Sequence, residues 1–195
     1  MENKTEEMVD ISYFTKNQKF WTQLPAGGAT QYTDILAAMD DEDFCDIYQH
    51  FMTYWDAERG WEHERYQEMF EGKNVVEIGS GLGYDGITYS QTANTYTFCD
   101  INEDQLNTVK RVSTLFNKGS FSPVYISNSN HSYQLIEDPL NHDYKTMFDA
   151  LYSHGVLHHV PFEVAHHEFK NVDKFLKVGP IQGVLGRTGM MKKEL

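Results

Sequence analysis

The chain has 195 residues, with 16 Lys and Arg against 29 Asp and Glu, for a formal net charge of −13. Its 40% hydrophobic and 14% aromatic content suffices for one packed core and excludes a disordered chain. So acidic a surface repels phosphate backbones, which argues against nucleic acid as a partner, and no apolar run approaches membrane-spanning length.

The N-terminus, MENKTEEMVD, is polar and acidic and does not read as a signal peptide. Cys45 and Cys99 are two lone cysteines and read as free thiols, so a cytoplasmic location is expected. Residues 1–70 show no alternation of strand and helix. Within them 33–39, 43–52 and 62–70 read as short helices, and Pro25-Ala26-Gly27-Gly28 as a turn. This part is rich in aromatics, including Phe44, Tyr48, Trp55, Trp61 and Tyr66. Covering one face of a sheet is the plainest use for them, and lining an acceptor pocket a sharper one.

From Lys73 onward strands and helices alternate. The spacing predicts strands at 75–78, 96–99, 124–127, 148–152 and 181–185. A helix begins near 85, with Asp85 as its cap. Asn102 caps the next, with Gln105 three residues on in a capping-box arrangement. Leu106, Val109, Val112 and Phe116 then fall on one helical face. Such alternation predicts a parallel sheet with right-handed crossovers.

The richest segment is 74–86, NVVEIGSGLGYDG, followed by the strand ending at Asp100. An apolar run leads into Gly79, Gly81 and Gly83, where backbone approaches a ligand closely. In open α/β sheets ligands bind beyond the carboxyl ends of the strands, so loop and Asp100 share one crevice. Two glycine patterns overlap here. Gly81, Gly83 and Gly86 spell G-x-G-x-x-G, and Asp100 lies 19 residues after Gly81, which suits a dinucleotide and a nicotinamide oxidoreductase. Glu77 to Gly83 spell E-x-G-x-G-x-G. A carboxylate there repels a pyrophosphate and suits a cationic cofactor without phosphate.

The second pattern resembles the first motif of class I S-adenosylmethionine-dependent methyltransferases. The segment 148–160, FDALYSHGVLHHV, is similar to the fourth-strand motif of the methyltransferase type 11 group, and LKVGP at 176–180 resembles its L-K-P-G-G turn. The resemblance spans roughly Lys73 to Leu185. It implies an α/β, Rossmann-like, mostly parallel sheet in the order 3-2-1-4-5, with residues 1–70 as a helical lid and 71–195 as the cofactor-binding core. The family has seven strands, and the ten residues after Leu185 do not hold the last two, so a C-terminally shortened sheet is expected. An uncovered edge invites pairing, so either a homodimer through it or a poorly ordered C-terminal segment is expected.

The resemblance further implies S-adenosyl-L-methionine as cofactor, S-adenosyl-L-homocysteine as product and a small-molecule acceptor. Gly79, Ser80, Gly81 and Gly83 offer backbone to the cofactor's amino-acid end and ribose, with Glu77 supporting that end. Asp100 accepts from the ribose hydroxyls, next to Ile101. Asn128 stands where the family has an acid for the adenine amino group. Ser153 and His154 follow the fourth strand, where the methyl is transferred, and His154 is the candidate general base. His154, His158, His159, His166 and His167 cluster without a cysteine, so no metal is expected. The rival class to an enzyme is an inactive cofactor-binding module.

Overall fold

The computed structural model describes residues 33–116, 121–125, 148–156 and 183–185, together with Lys16, 19–21, His166 and Leu176. Two helices come first, α1 (Thr33–Ala38) and α2 (Asp41–Phe70). Then follow β1 (Asn74–Ile78), α3 (Tyr84–Tyr89), β2 (Thr95–Asp100), α4 (Glu103–Leu115), β3 (Phe121–Tyr125), β4 (Ala150–Ser153) and β5 (Gly183–Leu185). The five strands form one parallel sheet in the order β3-β2-β1-β4-β5. The parallel sheet is the one expected from the alternation, and its order is the one the methyltransferase resemblance implies.

Nearly every residue of β1, β2 and β4 is buried, as in a parallel sheet covered on both faces. The register pairs Val75 with Tyr96 and Ala150, and Glu77 with Phe98 and Tyr152, so these six side chains share one face. On that face lies an aromatic core. Phe44, Tyr48 and Phe70 of α2 meet Tyr84, Ile87 and Tyr89 of α3, and Leu106, Val109 and Val112 of α4 join them. Phe70, Tyr89 and Tyr152 meet edge-to-face, with ring centroids 5.0 to 6.0 Å apart. Such contacts add to the area term of burial.

Helix α2 differs from the sequence reading. The two short helices expected at 43–52 and 62–70 are parts of one 30-residue helix. Phe44, Tyr48, Met52, Trp55, His63, Tyr66 and Phe70 form its inward stripe at helical spacing, so sheet packing carries the helix through the weak middle. Gly60 inside it costs only about 1 kcal/mol relative to Ala. Tyr54 and Trp61 face outward. At its start the Asp40 side chain accepts from the Asp43 amide at 2.9 Å, a normal N-cap.

Arg111 of α4 ties this helical layer down. Its guanidinium donates to the carbonyls of Leu36 and Met39 and to Asp41, at 2.7 to 3.1 Å, and lies 4.2 Å over the Phe44 ring.

Other boundaries moved for local reasons. β3 begins at Phe121 and contains Pro123, which a strand at the sheet's edge tolerates. Phe148 makes an isolated bridge to Leu176, and β4 proper starts at Ala150. Helix α3 is capped by Gly83 in the left-handed conformation, which leaves Asp85 for other partners. Asn102 caps α4 as expected, accepting from Asp104, but no capping box forms. The Gln105 amide reaches instead to the Trp21 carbonyl, at 2.9 Å.

Candidate functional site

The glycine loop leaves β1 at the carboxyl edge of the sheet. The amides of Gly79 and Ser80 both donate to the Cys99 carbonyl, and the Gly83 amide closes a turn on Ser80. All three loop glycines have positive φ, which a side chain makes costly. Their surroundings differ. A Cβ on Gly79 would collide with Val156, and one on Gly83 with Val109. Those two glycines serve packing. A Cβ on Gly81 would meet only the Gln105 Oε1 atom, at an ordinary 3.7 Å. The loop is therefore open at Gly81.

Asp100 closes the back of this opening. It is 5% exposed. Its Oδ2 atom accepts from the Gly81 amide and its Oδ1 atom from the Asn102 amide, each at 2.9 Å. Burial lifts its carboxyl from 3.8 to about 6, against the pull of hydrogen bonds from the amides of Gly81, Asn102 and Ile101. Ser80 Oγ is buried with no hydrogen-bond partner among the described residues. Loop and strand end thus bring Gly79, Ser80, Gly81, Gly83, Asp100 and Ile101 together, as the sequence reading expected.

The loop is also held from below. Tyr48 of α2 donates to the Leu82 carbonyl at 2.7 Å, and Ser153 Oγ donates to the Ile78 carbonyl at 3.0 Å. Ser153, at the end of β4, therefore fastens β4 to the end of β1. Glu77 turns beneath α3, packed against Gly86 and the rings of Tyr96 and Phe98. A Cβ on Gly86 would overlap its carboxylate. The charge of Glu77 raises the Tyr96 and Tyr48 phenols further above a range that burial has already lifted. Asn128 lies outside the described residues, as do His158, His159 and His167. Among the described residues no three His, Cys, Asp or Glu side chains form a metal-binding group, and no helix is long and apolar enough to cross a membrane.

His154 follows β4, with its ring nearly parallel to that of Tyr152. Its Nδ1 atom is 3.9 Å from Asp85 Oδ2. Asp85 also accepts from the Tyr152 hydroxyl at 3.3 Å, and its Oδ1 atom is 2.9 Å from His63 Nε2. His63 Nδ1 in turn is 3.2 Å from Asp56. The sequence reading missed His63, Asp85 in this role, Tyr48 and Gln105. Asp85 reads as a helix cap from its position, and the other three act across contacts no local pattern shows.

No protein-family model matches the sequence, and no curated protein does. Solved structures to which the chain is similar include PKMT2 from Rickettsia typhi in complex with AdoHcy (21% identity, TM-score 0.43, covering 55% of this chain and 20% of that one). Another is magnesium protoporphyrin IX methyltransferase (ChlM) from Synechocystis PCC 6803 with bound SAH (16% identity, TM-score 0.48, 83% and 67%). A third is tRNA (m1A58) methyltransferase TrmI from Aquifex aeolicus (17% identity, TM-score 0.44, 66% and 45%). The chain spans 20% to 39% of the length of the first three matching structures.

Proposed function

We propose that this chain binds S-adenosyl-L-methionine at the Gly79–Gly83 loop and transfers its methyl group to a small molecule. The observation that carries this reading is the opening at Gly81, backed by the buried Asp100 carboxylate. The carboxylate accepts three backbone amides, from Gly81, Asn102 and Ile101, and of its roughly four acceptor sites it keeps one for a ribose hydroxyl. The orphaned Ser80 hydroxyl fits a polar ligand group. Glu77 lies under the adjacent helix and its charge favours a cationic ligand over a pyrophosphate. S-adenosylmethionine supplies an electrophilic methyl on a sulfonium; the chain's own residues bind, orient and exclude water.

On this reading Ile101 and Ser153 border the cofactor, Asn128 pairs with the adenine edge and His154 serves as base. Within the N-terminal helical segment α2 belongs to the core, and the lid role falls to the part that holds Trp21. The Gln105 bond to Trp21 beside Gly81 supports that role. An acceptor of low charge suits the acidic chain better than tRNA. A homodimer through the edge beyond β5 is tested by sedimentation at several concentrations.

One observation favours a second reading. Gly86 sits where a Cβ would strike Glu77 and Phe98, the close helix–strand packing assigned to the third glycine of a dinucleotide fingerprint. Separate calorimetric titrations of S-adenosylhomocysteine and NAD distinguish the two. Heat with the first and none with the second supports an S-adenosylmethionine site over a dinucleotide site; the reverse overturns it.

A further inference from the structure

We infer that Gln105 is the second acceptor for the cofactor's ribose, sharing its two hydroxyls with Asp100 and tying the bound ribose to the segment that holds Trp21. This rests on the S-adenosylmethionine reading above and deepens it. A ribose presents two neighbouring hydroxyls, and each donates one hydrogen bond. Asp100 has roughly four acceptor sites, and the amides of Gly81, Asn102 and Ile101 take three of them. One hydroxyl can donate to Asp100. The other needs an acceptor elsewhere, because a donor left unmet beside a buried group costs affinity.

Gln105 offers that acceptor at the right place. It is the third residue of α4 and is 3% exposed. In the direction a Cβ would take from Gly81, the nearest atom is Gln105 Oε1, at 3.7 Å. Asp100 Oδ2 meets the same residue at its amide, at 2.9 Å. A carboxylate oxygen and a carboxamide oxygen therefore flank the open backbone of Gly81. The orientation of the carboxamide follows from its other partner. The Trp21 carbonyl can only accept, so the atom 2.9 Å from it is the donor Nε2, and Oε1 is left for the Gly81 side. Among the described residues none donates a hydrogen bond to that oxygen.

The two ends of a carboxamide act on each other. A hydrogen bond accepted at Oε1 polarises the group and strengthens the one that Nε2 donates. A ribose hydroxyl on Gln105 therefore tightens the bond to Trp21, 84 residues away in sequence. One side chain recognises the sugar and seats the N-terminal segment beside Gly81. A ligand that lacks this hydroxyl loses both effects.

The test uses the full chain and three ligands, S-adenosylhomocysteine and its 2′-deoxy and 3′-deoxy analogues. Gln105→Met keeps the length and helix preference of the side chain and removes its oxygen. The variant should bind S-adenosylhomocysteine roughly three- to tenfold more weakly than the parent. That loss should shrink for one deoxy analogue, whose missing hydroxyl is the one Gln105 meets, and persist in full for the other. Unchanged S-adenosylhomocysteine affinity in the folded variant overturns the inference and passes that hydroxyl to Ser80. An equal loss for all three ligands also overturns it, since Gln105 would then act through the fold and Trp21 alone. In the unaltered protein the side-chain carbonyl carbon of Gln105 should shift as S-adenosylhomocysteine is added, and shift less with that same analogue. A signal unmoved at saturation overturns the inference and needs no variant. If S-adenosylhomocysteine gives no heat with the unaltered protein, the cofactor reading itself falls, and the ribose assignment with it.

Discussion

The Gly81 amide and the Asp100 carboxylate, 19 residues apart in sequence, are joined by a hydrogen bond of 2.9 Å. This bond connects the β1 loop to the end of β2 and sets the proposed ribose acceptor directly behind the open backbone. The bond also makes Asp100 both a structural and a binding group, so its removal has two readouts.

Asp100→Ala should weaken S-adenosylhomocysteine binding by roughly 1.5–3 kcal/mol, the range for lost hydrogen bonds to a charged group. Calorimetry on the folded variant measures it. Unchanged affinity would remove Asp100 from the ribose site.

Asp100 also predicts a pH dependence. Its folded value of about 6 exceeds the ordinary 3.8, so between them the native state holds more protons than the unfolded one. Its contribution to stability is therefore full below 3.8 and falls as pH rises through about 6, by roughly 3 kcal/mol at most. Urea unfolding of the parent and of Asp100→Ala across this window should differ by a slope of that sign. Ligand affinity should rise over the same window, because only the ionised carboxylate keeps an acceptor site for a ribose hydroxyl beside its three amide partners.

Two glycines should behave in opposite ways. Gly81→Val meets only an ordinary contact with Gln105 but a φ of +54°, so it should fold with a cost of about 1–2 kcal/mol and bind S-adenosylhomocysteine at least roughly 100-fold more weakly. Gly86→Ala would press on Glu77, Phe98 and Tyr96, and should lose roughly 1–3 kcal/mol by overpacking. Thermal unfolding and ligand titration of both variants separate binding from packing.

Arg111→Ala should cost about 1.5–3 kcal/mol, because two carbonyls at the end of α1 lose a charged donor and Phe44 loses its cation. Asp41→Ala should cost under about 1 kcal/mol, since that carboxylate is largely exposed. Equal losses in denaturant unfolding would place the energy in the ion pair instead.

The strands, the glycine loop and the crevice it shares with Asp100 were legible because each rests on a local pattern: short apolar runs, glycines at alternate positions and an acid at a strand end; the strand order followed only from the resemblance to methyltransferases. Helix α2 was not, because its continuity depends on Tyr66 and Phe70 packing against Tyr89 and Tyr152 across the sheet. Asp85 was misjudged for a related reason. A first-turn acid reads as a cap, and only the fold brings His63, 22 residues before it, to its carboxylate. Gln105 likewise fits a capping box by spacing, but its amide is drawn to Trp21.

The most direct test of the central claim maps backbone amide shifts of the labelled protein as S-adenosylhomocysteine is added. The predicted result is saturable change concentrated at Ser80, Gly81, Asp100 and Ile101. Binding with those four amides unmoved would contradict the assignment of the cofactor to this loop.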